Sequence, residues 1–269
     1  MDFDLYKEVA VEQNGRNYDP DSSPEAWTYY KTVYKMDRWD LLKGFDMENR
    51  RSVKNKADDG KIYWREQSQI TITSAYYGDG KGKIGPVFKL GGETDFNFNE
   101  KKLLLLTSIA NNNAEAIASL AECAKRHHML VNFSLIAVSG NMQGQKSKGC
   151  CVDRYGEPDW LDRLDSFIYM LNEYFSNGKE YVLLPKVDEF GRPNPNRDCL
   201  IEFLATFDGV FDYCRKVYFL EGEEGRELVK CMIENGSKPI LNAGDVKRYT
   251  ALAQDYWKQK EQCLVSITK

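Results

Sequence analysis

From Pro158 to Gly178 the apolar side chains return every three or four residues: Trp160, Leu161, Leu164, Phe167, Ile168, Leu171, Tyr174 and Phe175. That spacing lines one face of an α-helix, whereas a strand would need alternation every second residue. A helix with such a face must bury it against other elements. The pattern recurs in 197–220, where Leu200, Phe203, Leu204, Phe207, Phe211, Cys214, Val217 and Tyr218 share a side. "EEGRELVKCMIENG" predicts a helix ending at Gly236, and "AGDVKRYTALAQDYWKQKEQ" predicts another that runs into a frayed polar tail. The second half therefore reads as a packed set of amphipathic helices.

The first half carries a different period. Ile70 and Ile72 alternate with Thr71 and Thr73, which predicts a half-buried strand next to one at "KIYW". Ser23, Pro24 and Glu25 form a helix start, with Trp27, Tyr30 and Tyr34 on one face. "KKLLLLTSIA" predicts a helix from about Glu100, and the asparagines after it cap a second helix with an Ile117, Leu120, Ala121, Ala124 stripe. Further strands are expected in "MLVNFSLIAV" and "EYVLL". The fold class is α+β, with a β-containing part over 1–98 and a mainly helical part over 99–269, joined in one continuous globular unit.

Charge narrows the function. A net charge of -4 argues against a chain built mainly to grip nucleic acid, because phosphate contacts need clustered Lys and Arg. No apolar run approaches the ~18 residues of a membrane span, and the start lacks the pattern of a secretory signal. The seven cysteines are scattered without a C-x2-C pair, which disfavours zinc and suggests a reduced, cytoplasmic protein. Neither a metal nor a cofactor is expected.

The segment 139–151, "SGNMQGQKSKGCC", is rich in glycine and holds two lysines and no acid. A nucleoside-triphosphate loop needs four residues between its glycines and a Lys directly after the second. Here three residues separate Gly140 from Gly144, and Gln145 intervenes before Lys146. Docking is the better reading, with Asn141, Gln143, Gln145, Lys146, Lys148 and Arg163 as candidate contacts for a protein partner or a phosphate-bearing ligand. For chemistry the candidates are Asp162, Asp165 and His128. Asp159, Asp162 and Asp165 recur every three residues at the start of a helix beginning at Pro158, where the helix dipole favours carboxylates and explains Asp159 and Asp162. The adjacent His127 and His128 sit at a helix end, where a cation is equally well explained by the dipole.

Across about residues 108–220, "NNNAEAIASLAECAKRHHMLVNFSLIAVSGNMQGQKSKG", "LDRLDSFIYMLNEYF" and "LIEFLATFDGVFDYCRKVYFL" resemble a bacterial and phage-borne family known only as a domain of unknown function. The matching positions are Asn132, Phe133, Gly140, Gly144, Asp162, Arg163 and Asp165; Val131 stands where relatives often have Gly. The resemblance implies an intracellular setting and a part in phage and host conflict, with no catalytic residue attached. Two functions follow as expectations. The first is a non-catalytic interaction protein that binds a partner through the loops 78–86 or 139–151. The second is a phosphate-substrate hydrolase or nuclease that joins the 139–151 loop to the Asp162/Asp165 helix.

Overall fold

The computed structural model of the chain describes residues 4–34 except 14 and 18, then 62–65, 69–73, 87–137, 163–180 and 204–267, with 182, 183, 186, 187, 191, 193, 197 and 201. The alternating isoleucines form strand β4 (Gln69–Thr73), which pairs antiparallel with β3 (Ile62–Arg65). β5 (Val87–Thr94) joins on the other side of β4, and β6 (Phe133–Ala137) joins β5, giving a four-stranded antiparallel sheet in the order β3-β4-β5-β6. A short hairpin of β1 (Glu12–Gln13) and β2 (Arg16–Asn17) precedes them. The fold is α+β as expected, although β6 comes from beyond residue 98, so the sheet straddles the boundary between the two expected parts.

The register has a consequence for the loops. Ile62 lies opposite Ile72, Thr73 opposite Val87, and Leu90 opposite Ala137. So β3 begins, β4 ends, β5 begins and β6 ends at the same end of the sheet. At the opposite end Thr94 pairs with Phe133, and there the chain turns into the helical layer.

Helix α1 (Pro24–Val33) starts as predicted, with the Ser23 side chain accepting from the Ala26 amide and Pro24 in the first turn. It buries Trp27, Tyr29, Tyr30, Val33 and Tyr34. Gly92 of β5 lies so close to the turn at Pro20–Ser22 that a Cβ there would sit 1.9 Å from the Asp21 carbonyl oxygen. Only glycine permits that approach.

Asn99 and Asn113 cap α2 (Glu100–Ala110) and α3 (Ala114–Ala124) by accepting from the amides of Lys102 and Ala116. The face that α3 buries is Ala116, Leu120 and Cys123. Ala121, expected in the stripe, is exposed, because the final helix packs along the side that carries Ser119 and Cys123.

The long amphipathic segment forms α4 (Leu164–Asn177), closed by Gly178 in the left-handed region at φ 63°. Its start corrects the expectation: Arg163 is extended at φ -119° and ψ 126°, so the helix begins at Leu164 rather than at Pro158. Asp165, not Asp159 or Asp162, is the first-turn acid. "EYVLL" is not a strand where it is described, since the Leu183 amide returns to the Glu180 carbonyl in a turn. The helix expected over 197–220 is not continuous: residues 205–209 form turns and bends, Gly209 at a φ of 140° that few other residues tolerate, and α5 (Val210–Tyr218) follows.

Helix α6 (Gly222–Gly236) ends where predicted. α7 (Ala243–Ile267) does not fray after Gln262: Tyr256, Trp257, Lys260, Cys263 and Leu264 continue a buried stripe through it. α7 packs against α2, α3 and α6, while α6 also packs closely on α4. Among the described residues no helix is long and apolar enough to cross a membrane.

Candidate functional site

Two buried charge clusters and one histidine pair hold the chemically capable groups of the described residues. The first cluster lies where β5 leaves the sheet. The Asp95 amide donates to the Asn132 carbonyl at 2.8 Å, which carries the chain past the start of β6. Oδ2 of Asp95 then accepts from Ser134 Oγ at 2.8 Å, Tyr256 OH at 2.6 Å and Lys260 Nζ at 2.8 Å.

Lys260 is fully buried, and its ammonium also donates to the Phe133 carbonyl and to Ser134 Oγ, each at 2.8 Å. Burial pushes the lysine pKa down, and the Asp95 charge opposes that shift. Burial raises the pKa of Tyr256, and Asp95 adds to the effect, so the phenol stays protonated as the donor. One carboxylate thus ties β5, β6 and α7 together.

Asn132 belongs to the same junction. Its Oδ1 accepts from the Phe96 amide and from Trp257 Nε1, both at 2.9 Å, and its Nδ2 donates to the carbonyls of Phe96 and His127. The Asn-Phe pair of the sequence is therefore a structural joint: the Asn132 amide serves the β5 exit, the end of α3 and α7, and the Phe133 carbonyl serves Lys260.

The second cluster surrounds Arg163 and Asp165, which are almost fully buried. The guanidinium donates through Nε and Nη2 to both carboxylate oxygens of Asp165, and Asp165 Oδ1 also accepts from the Ser166 amide. The guanidinium also donates through Nη1 to the Lys238 carbonyl at 2.7 Å and through Nη2 to the Asn235 carbonyl at 3.1 Å. Ser166 Oγ donates to the Gly236 carbonyl at 2.7 Å. Arg163 and Ser166 thereby satisfy carbonyls around the C-terminal end of α6, where cations are favoured. The fit requires Gly236, because a Cβ there would lie 2.1 Å from the Asp165 carbonyl oxygen.

The third group is His127 and His128, whose rings stack with centroids 4.2 Å apart. They lie in a turn after α3 rather than within a helix, so the roughly 100° separation of adjacent helical residues does not apply. Burial lowers the pKa of His127 to about 4, helped by the positive charges of His128 and Lys102. Its Nδ1 accepts from the Phe98 amide at 3.4 Å. Burial also raises the thiol of Cys123 to about 12 and that of Cys214 higher still, so both stay protonated.

Of the candidates from sequence, Arg163 and Asp165 are brought together as an ion pair, while His128 lies half-buried in the turn after α3. Asp162, Asn141, Gln143, Gln145, Lys146 and Lys148 lie outside the described residues, as does the 78–86 loop. Sequence reasoning missed Lys260 and Tyr256. The signal was available: Tyr249, Leu252, Ala253, Tyr256 and Trp257 predict an inward face on which Lys260 and Leu264 fall next. Among the described residues no group of three or more His, Cys, Asp or Glu side chains could hold a metal ion. Comparison with protein-family models, with curated proteins and with solved structures finds no match to this chain.

Proposed function

We propose that this protein is a non-catalytic intracellular interaction protein that binds a partner protein through one of the loops 78–86 or 139–151. The observation that carries this reading is the strand register. The described strand ends nearest to these segments in sequence, the start of β5 at Val87 and the end of β6 at Ala137, fall at the same end of the sheet. The described charges of Asp95, Lys260, Arg163 and Asp165 are engaged in holding the fold, which supports a reading in which recognition lies with other residues.

Lys146 and Lys148 supply the charge for an acidic patch on the partner, and Asn141, Gln143 and Gln145 supply adaptable hydrogen bonds. A role in bacterial defence or phage counter-defence is part of the proposal and rests on the family resemblance alone. The test compares affinity capture by the unaltered chain, by a Lys146→Glu/Lys148→Glu variant and by a Lys230→Glu control on the outer face of α6. Capture of one protein that the loop variant loses and the control keeps supports the reading. Equal capture by all three overturns it, and so does cleavage of RNA or DNA by the unaltered chain with a divalent cation.

A further inference from the structure

The start of the chain is fastened to the turn that carries the two histidines. The Val9 amide donates to the His128 carbonyl at 2.9 Å and the Val131 amide donates to the Leu5 carbonyl at 3.0 Å, with an antiparallel bridge of Glu8 and Met129 between them. Leu5 and Val9 are buried, while Lys7 and Glu8 are exposed. The guanidinium of Arg126 lies 5.7 Å from the centre of the Tyr6 ring and 5.5 Å from that of Trp257, and the Tyr6 hydroxyl donates to Glu261 of α7 at 2.8 Å. Residues 126–131 thus form one side of the seat on which residues 4–9 lie.

We infer that this turn is an acid-sensitive latch, in which proton uptake by His127 releases residues 4–9 while the rest of the fold stays in place. His127 Nδ1 accepts from the Phe98 amide at 3.4 Å, an arrangement open only to the neutral ring. A proton on Nδ1 ends that bond, takes the acceptor from the amide of buried Phe98, and sets a cation against the His128 ring, whose centroid is 4.2 Å away. The charges acting on His127 are those of His128 on its own turn and Lys102 of α2, and both oppose the proton; the Phe96 backbone favours it, more weakly than either. Arg126 adds a further positive charge to the turn, and the elements packed on it bring Glu8 of the N-terminal segment, opposite Met129, and Glu261 of α7, bonded to Tyr6. A charged ring relieves the conflict by swinging away from Phe98 and Lys102, and that displaces the His128 carbonyl and the Val131 amide that hold Val9 and Leu5. In the open turn His127 returns from about 4 towards its ordinary 6.5, so the latch holds above that value and loosens as the pH falls from 6.5 towards 4.

The test is amide hydrogen exchange of the unaltered chain and of a His127→Gln variant, read by nuclear magnetic resonance at Val9 and Val131 and corrected for the intrinsic rate, with global unfolding measured in urea at each pH as the reference. The expected result is an opening of both amides that exceeds global unfolding throughout and grows about twentyfold from about pH 7 to about pH 4.5. The variant keeps Glu8, Glu25 and Glu261, so its flat profile assigns the effect to the imidazole. An opening that does not grow in acid, one that grows equally in His127→Gln, or one that equals global unfolding, so that residues 4–9 leave only with the whole fold, would each overturn the inference. If the variant does not fold, the first and last of these outcomes decide from the unaltered chain alone.

Discussion

Replacing Lys260 with Met removes a charge that nothing else in the described core supplies to Asp95. The methionine keeps the apolar stem and packs in the same stripe of α7. Asp95 is then a buried carboxylate with two neutral donors, Ser134 and Tyr256, and the Phe133 carbonyl loses its partner. Breaking one side of a buried ion pair costs about 3–5 kcal/mol, and retention of two donors places this case near the lower end, at about 3–4 kcal/mol. The double variant Lys260→Met/Asp95→Asn removes the stranded charge but not the orphaned carbonyl, so its expected cost is about 1–2 kcal/mol. Urea denaturation followed by circular dichroism measures both. At a slope of about 3 kcal/mol/M, the single variant unfolds at about 1 M less urea and the double variant recovers more than half of that. If Lys260→Met lies within 1 kcal/mol of the unaltered chain, or the double variant is no more stable than the single, the pair does not hold the sheet to α7.

The other expectations concern the joints around this pair. Because His127 is held near a pKa of about 4 against 6.5 in the unfolded chain, the unfolded state takes up the proton first and stability falls as pH drops from 6.5 towards 4. At about 1.4 kcal/mol per tenfold change in proton affinity the ceiling is about 3 kcal/mol, and residual exposure reduces it to about 2; His127→Gln flattens that stretch of the stability-pH profile, and an unchanged slope refutes the assignment. Gly236→Ala drives a methyl into the Asp165 backbone and separates α4 from α6, costing about 2–4 kcal/mol by thermal denaturation, whereas Gly15→Ala, with open space around it, costs about 1 from its positive φ alone. Asn132→Leu strands the Phe96 amide, the Trp257 indole N–H and two carbonyls, and is expected to abolish cooperative unfolding or lower stability by about 4 kcal/mol, read by near-ultraviolet circular dichroism.

The local rules were legible because they are local. Ser23, Asn99 and Asn113 sit at helix N-termini, where an accepting side chain is needed, and a glycine ends α4 and α6. Asp165 and Arg163 were visible as charged residues at a helix start. Their pairing was not, because it depends on the C-terminal carbonyls of α6, some seventy residues away. The stripe marks position 260 as inward, but the residue type there argues the other way. A lysine in an amphipathic pattern reads as the edge of the solvent face, and only the meeting of Asp95, Ser134 and the Phe133 carbonyl makes an inward position tolerable. For the same reason α7 was expected to fray where it instead enters the core.

That meeting also bears on register. Along β6 side chains alternate between faces, so a slip of one residue against β5 would turn Ser134 away from Asp95 and bring Leu135 towards the ammonium. An apolar slip costs packing that can be partly recovered elsewhere. A slip here would take Ser134 Oγ and the Phe133 carbonyl away from the Lys260–Asp95 pair, leaving the two buried charges with each other but short of partners, at about 1–3 kcal/mol. The buried pair therefore discriminates between registers more sharply than the leucines and phenylalanines around it. Through Ser134 and the Phe133 carbonyl, a charge on the last helix thus helps hold β6 in its observed pairing with β5.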